Sequence, residues 1–362
     1  MKLKFAALAV LATFPVSCVV APPLQPQRVD EINAIVQPLL EKHKNMGFAV
    51  GVIHGDQMSV IGYGRVASDN PAPPNGDTVY EIGSITKVFT TYLLADLARE
   101  GTVALNDPIS RHLPRNIKTP HEGEREITLE DLATHTSGLP RLPSNLTGGA
   151  EDPYADYTPE RMYEFLASYR LKRGIGTKCE YSNLGVGLLG HLLERAAKAP
   201  YEELVAKRLT SRIGMRSTGI TLADPVKIRL APPYFVNGSP AHNWHFKALA
   251  GAGALRSTAN DLLKFVSVNL GRGEPYVVET FASCHAMRVE PTRDKLRVGL
   301  GWHVSPVRSK GPWATWHNGG TEGYSSFLGF VKETRTGVVV LSNTYTEATD
   351  RIGFDILSKL NP

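Results

Sequence analysis

Cysteine is scarce in this chain, three residues in 362, and no two of them form a C-x-x-C pair. H-E-x-x-H is missing and histidine and aspartate do not cluster, so a metal centre has no support and no metal is expected. No apolar stretch reaches the roughly 20 residues of a membrane-spanning helix. Polybasic runs and aromatic-interleaved basic stripes are absent. The formal charge is +5 and the pI near 9.0, but the basic residues are scattered among acidic ones. A nucleic-acid partner is therefore not expected, while attraction to an acidic cell-wall or membrane surface stays open. G-x-S-x-G is missing too, which argues against an α/β-hydrolase. No internal repeat or low-complexity segment interrupts the chain.

What is present suits a folded, exported protein. Hydrophobic residues make up 42% and charged residues 21%, enough for a core and without the signature of disorder. Residues 1–21 read as an export signal: Lys2 and Lys4 precede an apolar stretch from Phe5 to Phe14, and small residues and prolines follow. Val16-Ser17 before Cys18 fits a lipid-attachment box, with Pro15 where an aliphatic residue is usual; the alternative is simple cleavage near Cys18 or Ala21. Both put the mature chain in the periplasm or outside the cell, and lipidation of Cys18 makes it a membrane-anchored lipoprotein. Export permits a Cys179–Cys284 disulfide, with two buried thiols as the alternative.

Residues 22–28 read as a linker, and 29–362 as one compact unit with a helical insertion at about 100–250. A helix is expected over Val29–His43, bent or interrupted at Pro38. Phe48–His54 and Met58–Arg65 read as a hairpin. Helical patterns follow from Ser84 to Glu100, after Thr128 (a capping-box variant with Asp131), after Thr158-Pro159, and over Ser182–Lys198, Tyr201–Leu209 and Thr258–Leu270. Gly299–Val304, Ser325–Val331 and Val338–Asn343 are β-like, and Ala348–Leu360 closes the chain as a helix. Strands at both ends around a helical middle predict an α+β fold, an antiparallel sheet assembled from both ends of the chain with a helical insertion between.

The chain contains a Ser-x-x-Lys, Ser84-Ile85-Thr86-Lys87, opening a helical run. Three residues apart on a helix, the amine reaches the hydroxyl, which equips a serine nucleophile without a histidine–aspartate pair. Alone, the tetrapeptide is better read as a capping serine and a surface lysine, because that spacing is common in proteins. Tyr181-Ser182-Asn183 could supply a proton relay and an amide-binding side chain, or merely a buried tyrosine ahead of a helix. Trp316-His317-Asn318-Gly319-Gly320 offers an open strand edge and an oxyanion-binding N–H, or a glycine-rich turn.

Together and in this order, the motifs resemble the serine β-lactamase and penicillin-binding-protein superfamily: Ser-x-x-Lys, Tyr-x-Asn, then Lys/His-x-Gly. Glu81–Lys87, Asp131–Pro140, Tyr181–Gly185, Gly251–Thr258 and Gly299–Trp302 resemble its class C branch, which includes D-alanyl-D-alanine carboxypeptidases and esterases. The resemblance spans about residues 30 to 360 and implies an antiparallel sheet flanked by helices plus an all-helical subdomain, with the site between them. It implies Ser84 as the acylated serine, Lys87 as its base and Tyr181 as the proton-transfer residue. It implies Asn183 as the amide-binding residue, and His317, Asn318, Gly319 and Gly320 as substrate-binding. The backbone N–H groups of Ser84 and Gly320 would form the oxyanion site. No cofactor is implied. The expected activity is acyl-enzyme hydrolysis of a β-lactam or a D-alanyl peptide of peptidoglycan by a monomer. An esterase, or a penicillin-binding sensor that acylates without turnover, is the alternative.

Two departures bear on substrate. His317 stands where a lysine is usual, and its reference pKa of about 6.5 leaves it mostly neutral at pH 7, which weakens carboxylate recognition unless Arg141 or Arg256 substitutes. Arg141-Leu142 stands where class C enzymes place a glutamine. His135 and His303 read as structural histidines, and Trp302, Trp313 and Trp316 as either pocket wall or core.

Overall fold

The computed structural model describes residues 21–42, 47–149, 151–289 and 296–362. Cys18 and all but the last residue of the expected signal lie outside them. Seven strands form one antiparallel sheet: β1 (Gly47–His54), β2 (Gln57–Gly64), β3 (Arg297–Val298), β4 (His303–Pro306), β5 (Trp313–Gly320), β6 (Ser325–Val331) and β7 (Thr336–Ser342). Their order is β2-β1-β7-β6-β5-β4-β3, so the opening hairpin is stitched to the last strand.

Both faces of the sheet are buried, which is why its strands read as nearly continuous apolar runs. In β1, Phe48, Val50 and Val52 face one core while Ala49 and Ile53 face the other. On the first face lie α1 (Pro26–Lys42) and the closing helix α6 (Ala348–Leu360). On the second lie α2 (Thr86–Arg99), α4 (Ala259–Asn269) and α5 (Pro275–His285), which continue into the helical region around α3 (Asn183–Ala197). No helix of the described residues is long and apolar enough to cross a membrane.

Local chemistry sets the helix starts. Thr128 and Asp131 form a reciprocal capping box, Thr158 caps a helix with Pro159 in its first turn, and Ser182 and Thr258 cap α3 and α4; each such cap contributes about 1 kcal/mol.

Several expectations need correction. The linker ends sooner than residue 28, because α1 begins at Pro26, where a missing N–H costs nothing, and the helix runs through Pro38 unbroken. Gly299–Val304 is not one strand: Gly301 takes φ +70° and turns the chain between β3 and β4. The glycines of Trp316–Gly320 form no turn; they end β5. Cys179 and Cys284 are free thiols rather than a disulfide. Cys284 is buried on α5, where burial pushes its thiol up to about 12.

Candidate active site

Ser84 sits in a single 3₁₀ turn, Gly83–Ile85, that feeds directly into α2. This turn is pressed against the end of β5. Gly83 has φ +48°, and a Cβ there would stand 2.7 Å from Gly320 N; a Cβ on Gly319 would stand 2.9 Å from Ser84 N. Only glycine permits that approach. The register of β4 against β5 ends at His303–Trp316, so the edge of His317–Gly320 runs beyond β4 and borders the cleft.

Lys87 Nζ lies 2.9 Å from Ser84 Oγ and donates to the Ala252 carbonyl oxygen at 2.7 Å. The lysine is wholly buried. An ammonium taken out of water without a counter-ion costs several kcal/mol, and the group sheds its proton instead. Burial, reinforced by the Arg141 charge, accordingly drives Lys87 well below the usual lysine range. A neutral amine has a lone pair to receive the serine proton.

Tyr181 completes the group. Its ring centroid is 4.9 Å from Lys87 Nζ and 5.1 Å from the Arg141 guanidinium carbon. Burial raises its hydroxyl far above the tyrosine range, against the opposing effects of Ser84 and Arg141. The phenol therefore keeps its proton and suits a donor role. Asn183 opens α3; its Nδ2 donates to Tyr154 Oη at 3.4 Å, and its buried Oδ1 has no partner among the described residues.

His317 departs from its expected place. Successive strand residues face opposite sides. Trp316 and Asn318 point towards α6, where Asn318 Nδ2 donates to Asp350, while His317 points inward behind Tyr181. It is fully buried and does not line the cleft; its Nδ1 bonds the Asn318 carbonyl oxygen at 2.6 Å, and burial holds it well below the usual histidine range. Arg256 is committed to Glu81 at 3.0 Å, so of the two candidate arginines only Arg141 reaches the cleft.

Ser84, Tyr181, Asn183, Asn318, Gly319 and Gly320 thus share the wall of one cleft of about 990 Å³. Among the described residues no group of His, Cys, Asp or Glu is arranged to hold a metal ion. Residues 32–356 match the beta-lactamase family.

The chain belongs to the beta-lactamase family. As a member it is a serine hydrolase. It is 30% identical over 309 residues, 82% of this chain and 78% of the relative, to D-alanyl-D-alanine-carboxypeptidase/endopeptidase AmpH of Escherichia coli (strain K12). A Pseudomonas fluorescens protein named Beta-lactamase is 26% identical over 354 residues, covering 89% of this chain and 95% of its own. Among solved structures, a class C beta lactamase from Rhodobacter sphaeroides superposes with a TM-score of 0.80 at 25% identity, over 91% of this chain and 99% of that one. A beta-lactamase/D-alanine carboxypeptidase from Yersinia pestis does so with a TM-score of 0.77 at 25% identity, over 92% and 98%.

Within this beta-lactamase-family cleft stand residues that no motif announced. Tyr154, Trp244 and Phe235 come from the helical region, Tyr345 and Glu347 from the approach to α6, and Asp350 from its first turn. His303, expected as structural, lines the cleft stacked on Trp316 at 4.9 Å, its pKa pushed down to about 4 by burial and Lys87. Of the three tryptophans in question, Trp316 is pocket wall and Trp302 is core. The only sequence signal for Asp350 was its place in the first turn of a closing helix.

Proposed function

We propose that Ser84 is the nucleophile of an acyl-enzyme hydrolase acting on D-alanyl peptides or β-lactams. The observation that carries this is a buried Lys87, held by burial well below the usual lysine range, 2.9 Å from the serine hydroxyl. Ser84 Oγ attacks the carbonyl as Lys87 takes its proton, and the oxyanion develops between the backbone N–H groups of Ser84 and Gly320. Tyr181 then gives its proton to the departing nitrogen and regains one from the attacking water, whose hydroxide releases the acid as Lys87 returns its proton to the Ser84 oxygen. Asn183 holds the substrate amide, and Arg141 offers a cation for a carboxylate. The substrate class is supported by the names of the relatives, a carboxypeptidase/endopeptidase and a beta-lactamase.

Ester hydrolysis by the same residues is the second reading. It is favoured by two carboxyl groups in the cleft, Glu347 and Asp350, and by the burial of His317 where a cation would have met a substrate carboxylate. Intact-protein mass after mixing with a penicillin, with Ser84→Ala as control, tests both. A transient Ser84-dependent adduct indicates a β-lactamase and a persistent one a peptidase or an acylated sensor. No adduct, with turnover of p-nitrophenyl esters, leaves the esterase. Loss of nothing in Ser84→Ala removes the serine from the mechanism.

We also assign the chain to the periplasm or cell exterior, on the Lys2–Phe14 leader and the small residues after it. N-terminal sequencing of the mature protein distinguishes a lipidated Cys18 from simple cleavage, and an intact Met1 in exported-fraction protein overturns the leader.

A further inference from the structure

The segment Glu180-Tyr181-Ser182 lies outside any helix or strand, so no ladder of backbone bonds fixes the tyrosine. One residue holds all three members. The His135 carbonyl oxygen accepts from Glu180 N at 2.8 Å, and His135 Nδ1 accepts from Ser182 N at 3.1 Å. Between these two bonds the imidazole packs on the Tyr181 ring, centroids 4.7 Å apart and planes 35° from parallel. His135 holds this geometry at φ +60°, a left-handed conformation that only a few per cent of non-glycine residues adopt, asparagine, aspartate and histidine most often among them. The strain follows the short capped helix Leu129–Ala133 and turns both the carbonyl and the ring towards the same segment.

From this geometry we infer that His135 is a positioning residue for Tyr181, clamping the backbone on either side of it so that the phenol meets the leaving group. The inference rests on the acyl-transfer reading above. A backbone N–H donating to Nδ1 requires the ring proton on Nε2, so the clamp works only with a neutral imidazole. The surroundings keep it so: burial and the nearby Lys87, His303 and Arg141 all oppose a positive charge on His135. A satisfied core histidine would account for one bond and a buried ring. It would not account for a strained backbone with two bonds flanking a third residue's stacked ring.

The test is a series of aryl acetates of rising leaving-group pKa, hydrolysed by the full mature chain and by His135→Gly and His135→Asn, with thermal melting to establish folding. Glycine keeps the left-handed turn and the backbone carbonyl that accepts from Glu180 N, and removes the Nδ1 acceptor and the ring. Asparagine tolerates the turn and returns an acceptor oxygen without the stacked ring. A misplaced Tyr181 matters least when the leaving group departs without a proton. The acetyl-enzyme is common to the whole series, so kcat/KM reports the step that expels the leaving group; its expected loss for His135→Gly grows from about threefold for the best leaving group to about a hundredfold for the poorest, with asparagine intermediate. A merely structural role lowers the whole series by one factor, and that result, or no loss, overturns the assignment. If the glycine variant does not fold, a slope for asparagine equal to that of the unaltered chain overturns it, and a steeper one supports it. Labelling by a fluorophosphonate separates the two readings, since fluoride leaves without a proton. Failure to label or turn over at Ser84 in the unaltered chain ends the acyl-transfer reading and this inference with it, whereas normal labelling with a uniform ester loss removes His135 alone.

Discussion

Lys87 Nζ stands 2.9 Å from Ser84 Oγ although the lysine side chain is wholly withdrawn from solvent. The pairing gives the serine a base one helical turn away. Lys87→Met is expected to slow formation of the Ser84 adduct by about 10²–10⁴-fold, the usual range for a general base. Lys87→Arg is not expected to restore it, because a guanidinium keeps its proton. Adduct formation at an unaltered rate in Lys87→Met would place the base elsewhere.

The same burial ties stability to pH. In the fold Lys87 is held well below its ordinary 10.5, whereas the unfolded chain carries it protonated up to that value. Unfolding therefore takes up a proton between the two pKa values, and this group makes stability rise with pH there by about 1.4 kcal/mol per unit. Urea titrations at successive pH values below 10 are expected to show that component in the unaltered chain and not in Lys87→Met. Parallel pH dependences in the two chains would show that the folded lysine is charged.

Asp350 titrates in the opposite sense. Burial raises its carboxyl to about 6, partly relieved by the Asn318 amide that donates to it and helped by Glu347. Above pH 6 it is an anion facing the cleft; below, it is neutral. KM for a penicillin should fall on acidification from pH 7 to 5 relative to KM for an uncharged ester. Asp350→Asn should remove that difference and lower the penicillin KM at pH 7 by about fivefold, the effect of about 1 kcal/mol between charges in a watery cleft. An unchanged penicillin KM in the variant would mean that the substrate carboxylate lies elsewhere.

Gly83→Ala strikes the contact between the nucleophile's turn and β5. At φ +48°, with the new Cβ 2.7 Å from Gly320 N, the turn must shift. The expected cost is about 1–3 kcal/mol of stability, read by melting, and about 10²–10³-fold in adduct formation as an oxyanion donor moves. Lower stability with an unaltered adduct rate would exclude Gly320 N from the oxyanion site.

Where local chemistry governs, the chain was readable in advance. Thr128 with Asp131, Thr158 with Pro159, and Ser182 announce helix starts, because a cap acts within four residues and owes nothing to the rest of the fold. The Phe48–His54 hairpin strand was visible because Phe48, Val50, Val52 and Ile53 give it the β-branched and aromatic character of a strand. Gly299–Val304 misled for the converse reason. Its composition is that of a strand, but Gly301 at φ +70° makes a turn, and a glycine's φ is set by what surrounds it. The glycines of Gly319-Gly320 looked like a turn and instead end a strand, because they must lie against Ser84.

The site divides along the same line. Sequence by itself determined that Ser84 and Lys87 share a helical face and that Tyr181, Asn183 and a histidine-bearing third motif accompany them, since spacing within a turn and residue chemistry are properties of the chain alone. Tertiary structure decided that His317 faces inward behind Tyr181, that Arg256 is spent on Glu81 while Arg141 borders the cleft, and that Asp350 enters it from the last helix. It also decided that burial holds Lys87 well below the usual lysine range and keeps Tyr181 protonated. The physical reason is desolvation: a side chain's charge depends on how much water the assembled fold leaves around it, and that quantity exists only once distant segments have packed together.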